Sequence, residues 1–188
     1  MSDELVIRCC APTLAAIKTG SLFNCAFESE AAMLCGLRRL NQSMRDKGIA
    51  AIPLCCRQGR TLIYLYRPAM LAMDLRDPKA DALLRMLGYP EGSVSKRVAY
   101  LRQRMRESVE FPHEIGLFLG YPAADVQGFI NHGVCKYTGL WKVYDSDEEN
   151  ARRVFRRCQN CTAAYLCRYR EGWTLSRLTI QPRRLSCS

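Results

Sequence analysis

The densest group of chemically useful side chains lies in the segment from Glu110 to Pro122, which reads Glu-Phe-Pro-His-Glu-Ile-Gly-Leu-Phe-Leu-Gly-Tyr-Pro. Pro112 favours a helix start, which would place His113 and Glu114 in the first turn, where backbone N–H groups are free. A histidine at such a position can take a proton, bind a metal or form a hydrogen bond. The segment therefore predicts either a catalytic pair or two side chains that cap and anchor a short helix.

Cys25 is the candidate nucleophile. It lies in the run Ser-Leu-Phe-Asn-Cys, shortly before a predicted helix whose N-terminus would favour the thiolate. With His113 as base it would form half of a papain-like site, in a thiol hydrolase or acyltransferase acting on an acyl or amide group. Two observations oppose this hypothesis. The chain has 11 cysteines, so an accidental pair is easy to find, and a papain-like base would lie on a strand.

The vicinal pairs Cys9-Cys10 and Cys55-Cys56 suggest a different chemistry. Adjacent strand residues point to opposite faces of a sheet, so only one cysteine of each pair can face a given core. If both pairs lie on neighbouring strands, one thiol from each could converge and bind a soft metal ion or a redox cofactor. The alternative is ordinary strand packing.

Cys158 and Cys161 have the spacing of a thiolate knuckle. They also fall on one stripe of a predicted long helix, together with Val154 and Tyr165. Cysteine on such a stripe behaves as a small buried hydrophobe, and this interpretation is favoured.

Four β-rich or apolar runs and several amphipathic stretches must position these residues. The predicted strands are Leu5 to Cys10, Ile49 to Cys56, Thr61 to Tyr66 and Tyr137 to Tyr144. The middle two flank a polar turn and predict a hairpin, with Pro53 at an edge or a bulge. Predicted helices run from about Glu28 to Asp46, from Pro78 towards Gly88, from Val94 to Glu107 and from a Ser146/Glu149 capping box to Gly172. We predict one α+β domain over residues 1–188: a small, mainly antiparallel sheet covered by about six helices.

The segments Phe111 to Pro122, Asp125 to Ile130, Gly139 to Tyr144 and Leu65 to Pro68 also carry a resemblance. Together they resemble a family of uncharacterised proteins from anaerobic Gram-positive bacteria, and the resemblance covers most of the chain. It implies a bacterial cytosolic protein, and it assigns no activity and no catalytic residue.

The composition of the chain bears on its cellular location and on the kind of partner it could bind. The acidic start and the lack of a long apolar run predict a cytoplasmic protein without membrane insertion. The formal net charge is +10, which would suit an acidic protein or a nucleic acid as partner, although solvated helix faces are the favoured explanation. The basic residues that carry most of the excess are Lys96, Arg97, Arg102, Arg104, Arg106, Arg152, Arg153, Arg156, Arg157, Arg183 and Arg184.

Three functions follow from these observations. The favoured one is a non-catalytic binding or accessory protein of anaerobic metabolism, with Phe111 to Pro122 and the basic helices as its contact surface. The second is the thiol enzyme built on Cys25 and His113. The third is a metal or redox-cofactor binder that uses the cysteine pairs.

Overall fold

A three-stranded antiparallel sheet lies at the centre of the fold, in a computed structural model that describes residues 1–108 and 110–181. Its strands are β1 (Gly20–Ala26), β2 (Ala50–Arg57) and β3 (Arg60–Tyr66), in the order β1-β3-β2. Gln58 and Gly59 join β2 to β3 with φ values of 49° and 72°, as a two-residue hairpin turn requires. The predicted hairpin is confirmed, and so is the predicted position of Pro53, which lies on an edge strand at a register shift.

Helices cover both faces of the sheet. One face carries α1 (Asp3–Leu14), α2 (Glu30–Met44), α8 (Glu148–Arg170) and α9 (Leu175–Leu178). The other carries α3 (Pro68–Asp74), α4 (Pro78–Met86), α5 (Val94–Glu107), α6 (Ile115–Phe118) and α7 (Ala123–Ile130). A second, two-stranded sheet, β4 (Tyr137–Thr138) with β5 (Lys142–Val143), lies between α7 and α8 in the chain.

Side chains of β3 alternate between two hydrophobic cores. Ile63 and Leu65 face the core formed with α1 and α2, whereas Tyr64 and Tyr66 face the core formed with α3 to α7. This alternation follows from the two-residue period of a strand. The central strand is therefore buried on both sides, as its apolar sequence predicts.

The strand predicted for Leu5 to Cys10 is wrong, because these residues belong to α1. The Ser2 hydroxyl accepts a hydrogen bond from the Leu5 N–H at 3.3 Å and caps the helix. Val6, Ile7 and Cys10 then fall on one buried helical face. A short apolar run fits a strand or a buried helix equally well, so the pattern alone did not separate the two.

Two further predictions need correction. The strand from Tyr137 to Tyr144 is reduced to the two short arms of β4 and β5. Asp147, one residue after Ser146, is the N-cap of α8, where it accepts from the N–H groups of Glu149 and Asn150.

The α+β class with a single domain is confirmed, with nine α-helices instead of about six within the described residues. The predicted helices at α2, α4 and α5 are present. Helix α8 ends at Arg170, just before the predicted stop at Gly172, which has a φ of 90°. Arg183 and Arg184, with the rest of the predicted domain beyond residue 181, lie outside the described residues. In the part of the chain that is described, no helix has the length and apolar character needed to cross a bilayer.

The buried guanidinium of Arg67 ties three distant segments together. It donates to the backbone carbonyls of Thr13 at 2.6 Å, Leu14 at 2.7 Å, Lys47 at 3.0 Å and Ile180 at 2.8 Å. Thr13 and Leu14 end α1, so the cation also stabilises the negative end of that helix. Burial lowers the pKa of Arg67, but the four carbonyls compensate the buried donors.

Candidate functional site

A cavity of about 350 Å³ lies between α6, α7 and the β4–β5 hairpin, with Leu22 of β1 also in its wall. We call it the α6–α7 pocket. Most of its lining comes from two segments that sequence analysis selected, Phe111 to Pro122 and Gly139 to Tyr144. The described lining residues are Leu22, Phe111, His113, Ile115, Gly116, Leu119, Tyr121, Asp125, Val126, Phe129, Thr138, Gly139, Leu140, Trp141 and Lys142.

Aromatic rings form much of the wall. Tyr121 and Trp141 are stacked, with ring centroids 5.1 Å apart. The imidazole of His113 meets the ring of Phe129 edge-on, with centroids 4.7 Å apart, and the centroid of the Phe111 ring lies 6.4 Å from that of His113. Such a wall favours an apolar or aromatic guest.

Asp125 lies in this apolar wall, and both of its carboxylate oxygens accept hydrogen bonds. Its Oδ1 accepts from the backbone N–H groups of Tyr144 at 2.8 Å, Asp145 at 3.0 Å and Ser146 at 3.0 Å. Its Oδ2 accepts from the Trp141 indole at 2.8 Å and from the Ser146 hydroxyl. Burial raises the pKa of Asp125, but the hydrogen bonds outweigh burial and lower it. The carboxylate therefore holds the hairpin and the start of α8 against α7.

Two glycines allow the hairpin to pack this closely. A Cβ on Gly139 would lie 2.1 Å from the ring of Phe155, and a Cβ on Gly128 would lie 2.6 Å from the Cβ of Tyr144. Phe155 on α8 also meets Trp141 edge-on, with centroids 4.5 Å apart. Trp141 is thus fixed by Asp125, Tyr121 and Phe155 together, and this wall of the pocket is preorganised.

The rim of the pocket combines exposed apolar and basic side chains. Phe111 is 47% exposed and Leu140 is 40% exposed, and both line the pocket. Lys142 is exposed, and its Nζ lies 5.2 Å from the centroid of the Phe129 ring. His113 is exposed and touches the same ring.

Glu114 does not face the pocket. It is buried, and its Oε1 accepts from the Tyr89 hydroxyl at 2.9 Å and from Nε of Arg104 at 2.7 Å. It joins α5 to the segment that leads into α6. The sequence left two alternatives for His113 and Glu114, a catalytic pair or two anchoring side chains. Glu114 is an anchoring side chain, whereas His113 lies in the pocket wall.

The structure does not bring Cys25 and His113 together. Cys25 is buried on β1 in the core formed with α1 and α2, and its Sγ contacts the Ala26 carbonyl at 3.4 Å. Leu22 of the same strand points to the opposite face, where it lines the pocket with His113. The sheet therefore separates the two side chains.

The vicinal cysteine pairs are not on neighbouring strands either. Cys9 and Cys10 lie on α1, and Cys10 is packed in the core on the α1 side. Cys55 packs against the opposite core, while Cys56 is exposed, with its Sγ 3.0 Å from the Thr61 hydroxyl. Among residues 1–108 and 110–181, no group of three or more His, Cys, Asp or Glu side chains is arranged to hold a metal ion.

The cysteines and arginines that were selected from the predicted long helix lie on α8. Cys158 is buried on α8, in line with the predicted hydrophobic stripe, and Cys161 is half-buried one turn later. The arginines Arg152, Arg153, Arg156 and Arg157 are exposed along the same helix, and Arg152 pairs with Glu148.

Sequence analysis missed Lys18 as part of this region. Its Nζ lies 5.0 Å from the centroid of the Tyr121 ring. Burial lowers the pKa of Lys18 to about 8, against an opposing effect of the Cys158 and Cys10 thiols. Burial also raises the pKa of Tyr121 to about 12. Lys18 thus contacts Tyr121 in the pocket wall, and burying its positive charge costs free energy.

Asp125 and Lys142 were quoted in the sequence only as parts of larger segments. A carboxylate within the mostly apolar run from Ala123 to Ile130 was a signal that a buried acceptor would need donors there. Its donors, however, lie 16 to 21 residues later in the chain, and sequence spacing could not identify them.

Comparison with known proteins gives a family. A family model described as "Protein of unknown function (DUF3793)" matches residues 6–179. No curated protein and no solved structure matches the chain. The matched range contains every described residue that lines the α6–α7 pocket. The chain therefore belongs to the DUF3793 family of proteins of unknown function.

Proposed function

We propose that the chain is a non-catalytic binding protein that takes a small, largely apolar molecule into the α6–α7 pocket. The observation that carries this proposal is the set of aromatic side chains around a cavity of about 350 Å³, a volume within the range of small-molecule sites. These aromatic residues are Phe111, Tyr121, Phe129 and Trp141.

The polar lining supports binding more than chemistry. Asp125 is committed to five donors and is not available as a general base. Within the described lining there is no cysteine and no serine, and Cys25 lies across the sheet. The pocket therefore offers apolar contact area with a few polar groups at its rim, as ligand sites commonly do.

The test is the binding of a neutral fluorescent probe, N-phenyl-1-naphthylamine, whose emission rises in an apolar site. The wild-type protein is expected to bind it in a saturable manner with one site per chain. A double variant, Phe111→Gln with Leu140→Gln, removes apolar area at the rim only, and we expect about tenfold weaker binding.

The matched control replaces exposed apolar residues elsewhere, Met73→Gln with Met86→Gln, which are 69% and 77% exposed. Both double variants should keep the wild-type circular dichroism spectrum, because none of the four side chains is buried. Equal affinities of the two double variants, or no saturable binding by the wild type, would refute the proposal.

A further inference from the structure

We infer that the ligand of the α6–α7 pocket carries a single anionic group, such as a carboxylate or sulfonate, on its apolar body. This inference rests on the proposed function and adds the chemical class of the ligand. It comes from the arrangement of charge at the rim, and each element of that arrangement is a separate observation.

Lys142 supplies the positive charge. It is exposed at the end of the hairpin, and its Nζ is held near the Phe129 ring, 5.2 Å from the centroid. All ion pairs among the described residues are made by arginines, so Lys142 has no carboxylate partner in that part of the chain. An ammonium group beside an apolar cavity can pair with an anion without giving up an existing partner.

His113 supplies a second donor next to the same ring. Its imidazole meets Phe129 edge-on at 4.7 Å between centroids and lines the cavity. An imidazole can donate a hydrogen bond whether or not it is charged. Lys142 and His113 both contact Phe129, so two donors are available to one anionic group at this part of the rim.

No free carboxylate in the described lining of the pocket would attract a cationic ligand. Asp125 is the one carboxylate among the described lining residues, and its charge is compensated by five hydrogen-bond donors. A cationic ligand would therefore meet Lys142 at the rim and find no free carboxylate inside. The rest of the described lining is mostly apolar and suits a body of roughly two rings.

The experiment compares two probes that differ by one charged group: 1-anilinonaphthalene-8-sulfonate, which is an anion, and neutral N-phenyl-1-naphthylamine. Both are titrated into the wild type, Lys142→Gln and Lys136→Gln. Lys136 is exposed and precedes the hairpin, but it does not line the pocket, so the two variants have the same net charge.

We expect the wild type to bind the anion at least fivefold more tightly than the neutral probe. Lys142→Gln should weaken anion binding by about tenfold and change neutral binding by less than about twofold, because a charge-assisted contact is lost. Lys136→Gln should change both affinities by less than about twofold.

Two failures can be told apart. If the neutral probe binds but Lys142→Gln and Lys136→Gln have equal effects on the anion, the charge inference is wrong and the proposed binding function stands. If the neutral probe does not bind the wild type in a saturable manner, the proposed function fails and the inference fails with it.

Discussion

The indole Nε1 of Trp141 donates a 2.8 Å hydrogen bond to Oδ2 of Asp125, which lies on α7. This contact joins the two walls of the α6–α7 pocket, since Trp141 belongs to the hairpin side and Asp125 to the helical side. The same carboxylate accepts three backbone N–H groups that precede α8. The fold and the shape of the pocket therefore depend on one buried acid.

Replacing Asp125 by Asn should lower the free energy of unfolding by about 3 kcal/mol, because an amide offers donors where the site needs acceptors. Urea unfolding followed by circular dichroism measures this loss. Asp145→Asn is the matched control, because Asp145 is exposed and contributes only its backbone N–H to the cluster. Equal stabilities of the two variants would contradict the role given to Asp125.

The stability difference between the wild type and Asp125→Asn should depend on pH. The pKa of Asp125 is lowered in the folded state, so its stabilising effect is complete above the unfolded value of about 4. It is lost as the pH falls through the lowered folded value. The difference in stability between wild type and Asp125→Asn should therefore shrink as the pH falls below about 4, and a constant difference would count against the assignment.

Lys18→Met should stabilise the protein at pH 7 by about 1 kcal/mol. The cost of a half-buried charge is removed, and the lost cation–π contact with Tyr121 offsets part of the gain. The folded pKa of Lys18 is about 8, below its ordinary value, so the cost is complete below pH 8 and is relieved as the pH rises further. Thermal unfolding at pH 7 and pH 9 should show a smaller difference at pH 9.

Lys79→Met is the control for this experiment, because Lys79 is exposed at the start of α4. It should change stability by less than about 0.5 kcal/mol at either pH. A Lys18→Met protein that is less stable than the wild type at pH 7 would show that the ammonium contributes more than its burial costs.

Asn41→Ala should expose the outer edge of β2. The Asn41 side chain donates to the Ala51 carbonyl at 2.9 Å and accepts from the Ala51 N–H at 2.7 Å, in the manner of a neighbouring strand. Its loss should cost about 2 kcal/mol and promote association between chains along this edge. Sedimentation velocity over a range of concentrations detects the association, and Gln42→Ala, on the exposed side of α2, is the control. A stable, monomeric Asn41→Ala protein would be inconsistent with this capping role.

Cysteine labelling tests the thiol-enzyme hypothesis. Because Cys25 is buried on the face opposite His113, iodoacetamide should modify it more slowly than the exposed thiols, as measured by peptide mass spectrometry. Among the residues that the structure describes, the exposed thiols are Cys35, Cys56, Cys135 and Cys167. Cys25 should react readily only after unfolding in urea. Fast labelling of Cys25 in the folded protein would restore it as a candidate nucleophile.

Local patterns predicted much of the architecture. The β2–β3 hairpin carries its own turn residues, and α4 begins at Asp77 and Pro78 with the expected cap. Before Ala26, the sequence patterns predicted neither of the two elements, α1 and β1, correctly. The apolar run from Leu5 to Cys10 is a helix, and β1, which begins at Gly20, is absent from the predicted strands. Neither choice is decided locally, because β1 is fixed by its pairing with β3 about 40 residues later.

The candidate site was predicted in part. Phe111 to Pro122 was selected from its residue types, and His113 with its neighbours does line the pocket. The predicted partners of His113 were wrong in position: Cys25 faces the other core, and Glu114 turns towards Arg104. Side-chain direction along β1 depends on strand register, and Lys142 reaches Phe129 only through the folded hairpin.

The most direct test of the binding account uses Trp141 as a reporter in the Trp173→Phe protein. Trp173 packs beside Arg177 at the end of α8, away from the pocket, so its replacement leaves one tryptophan, in the pocket wall. The account predicts that N-phenyl-1-naphthylamine quenches Trp141 emission along the same saturation curve as the rise in probe emission. Probe binding that leaves Trp141 emission unchanged would contradict it.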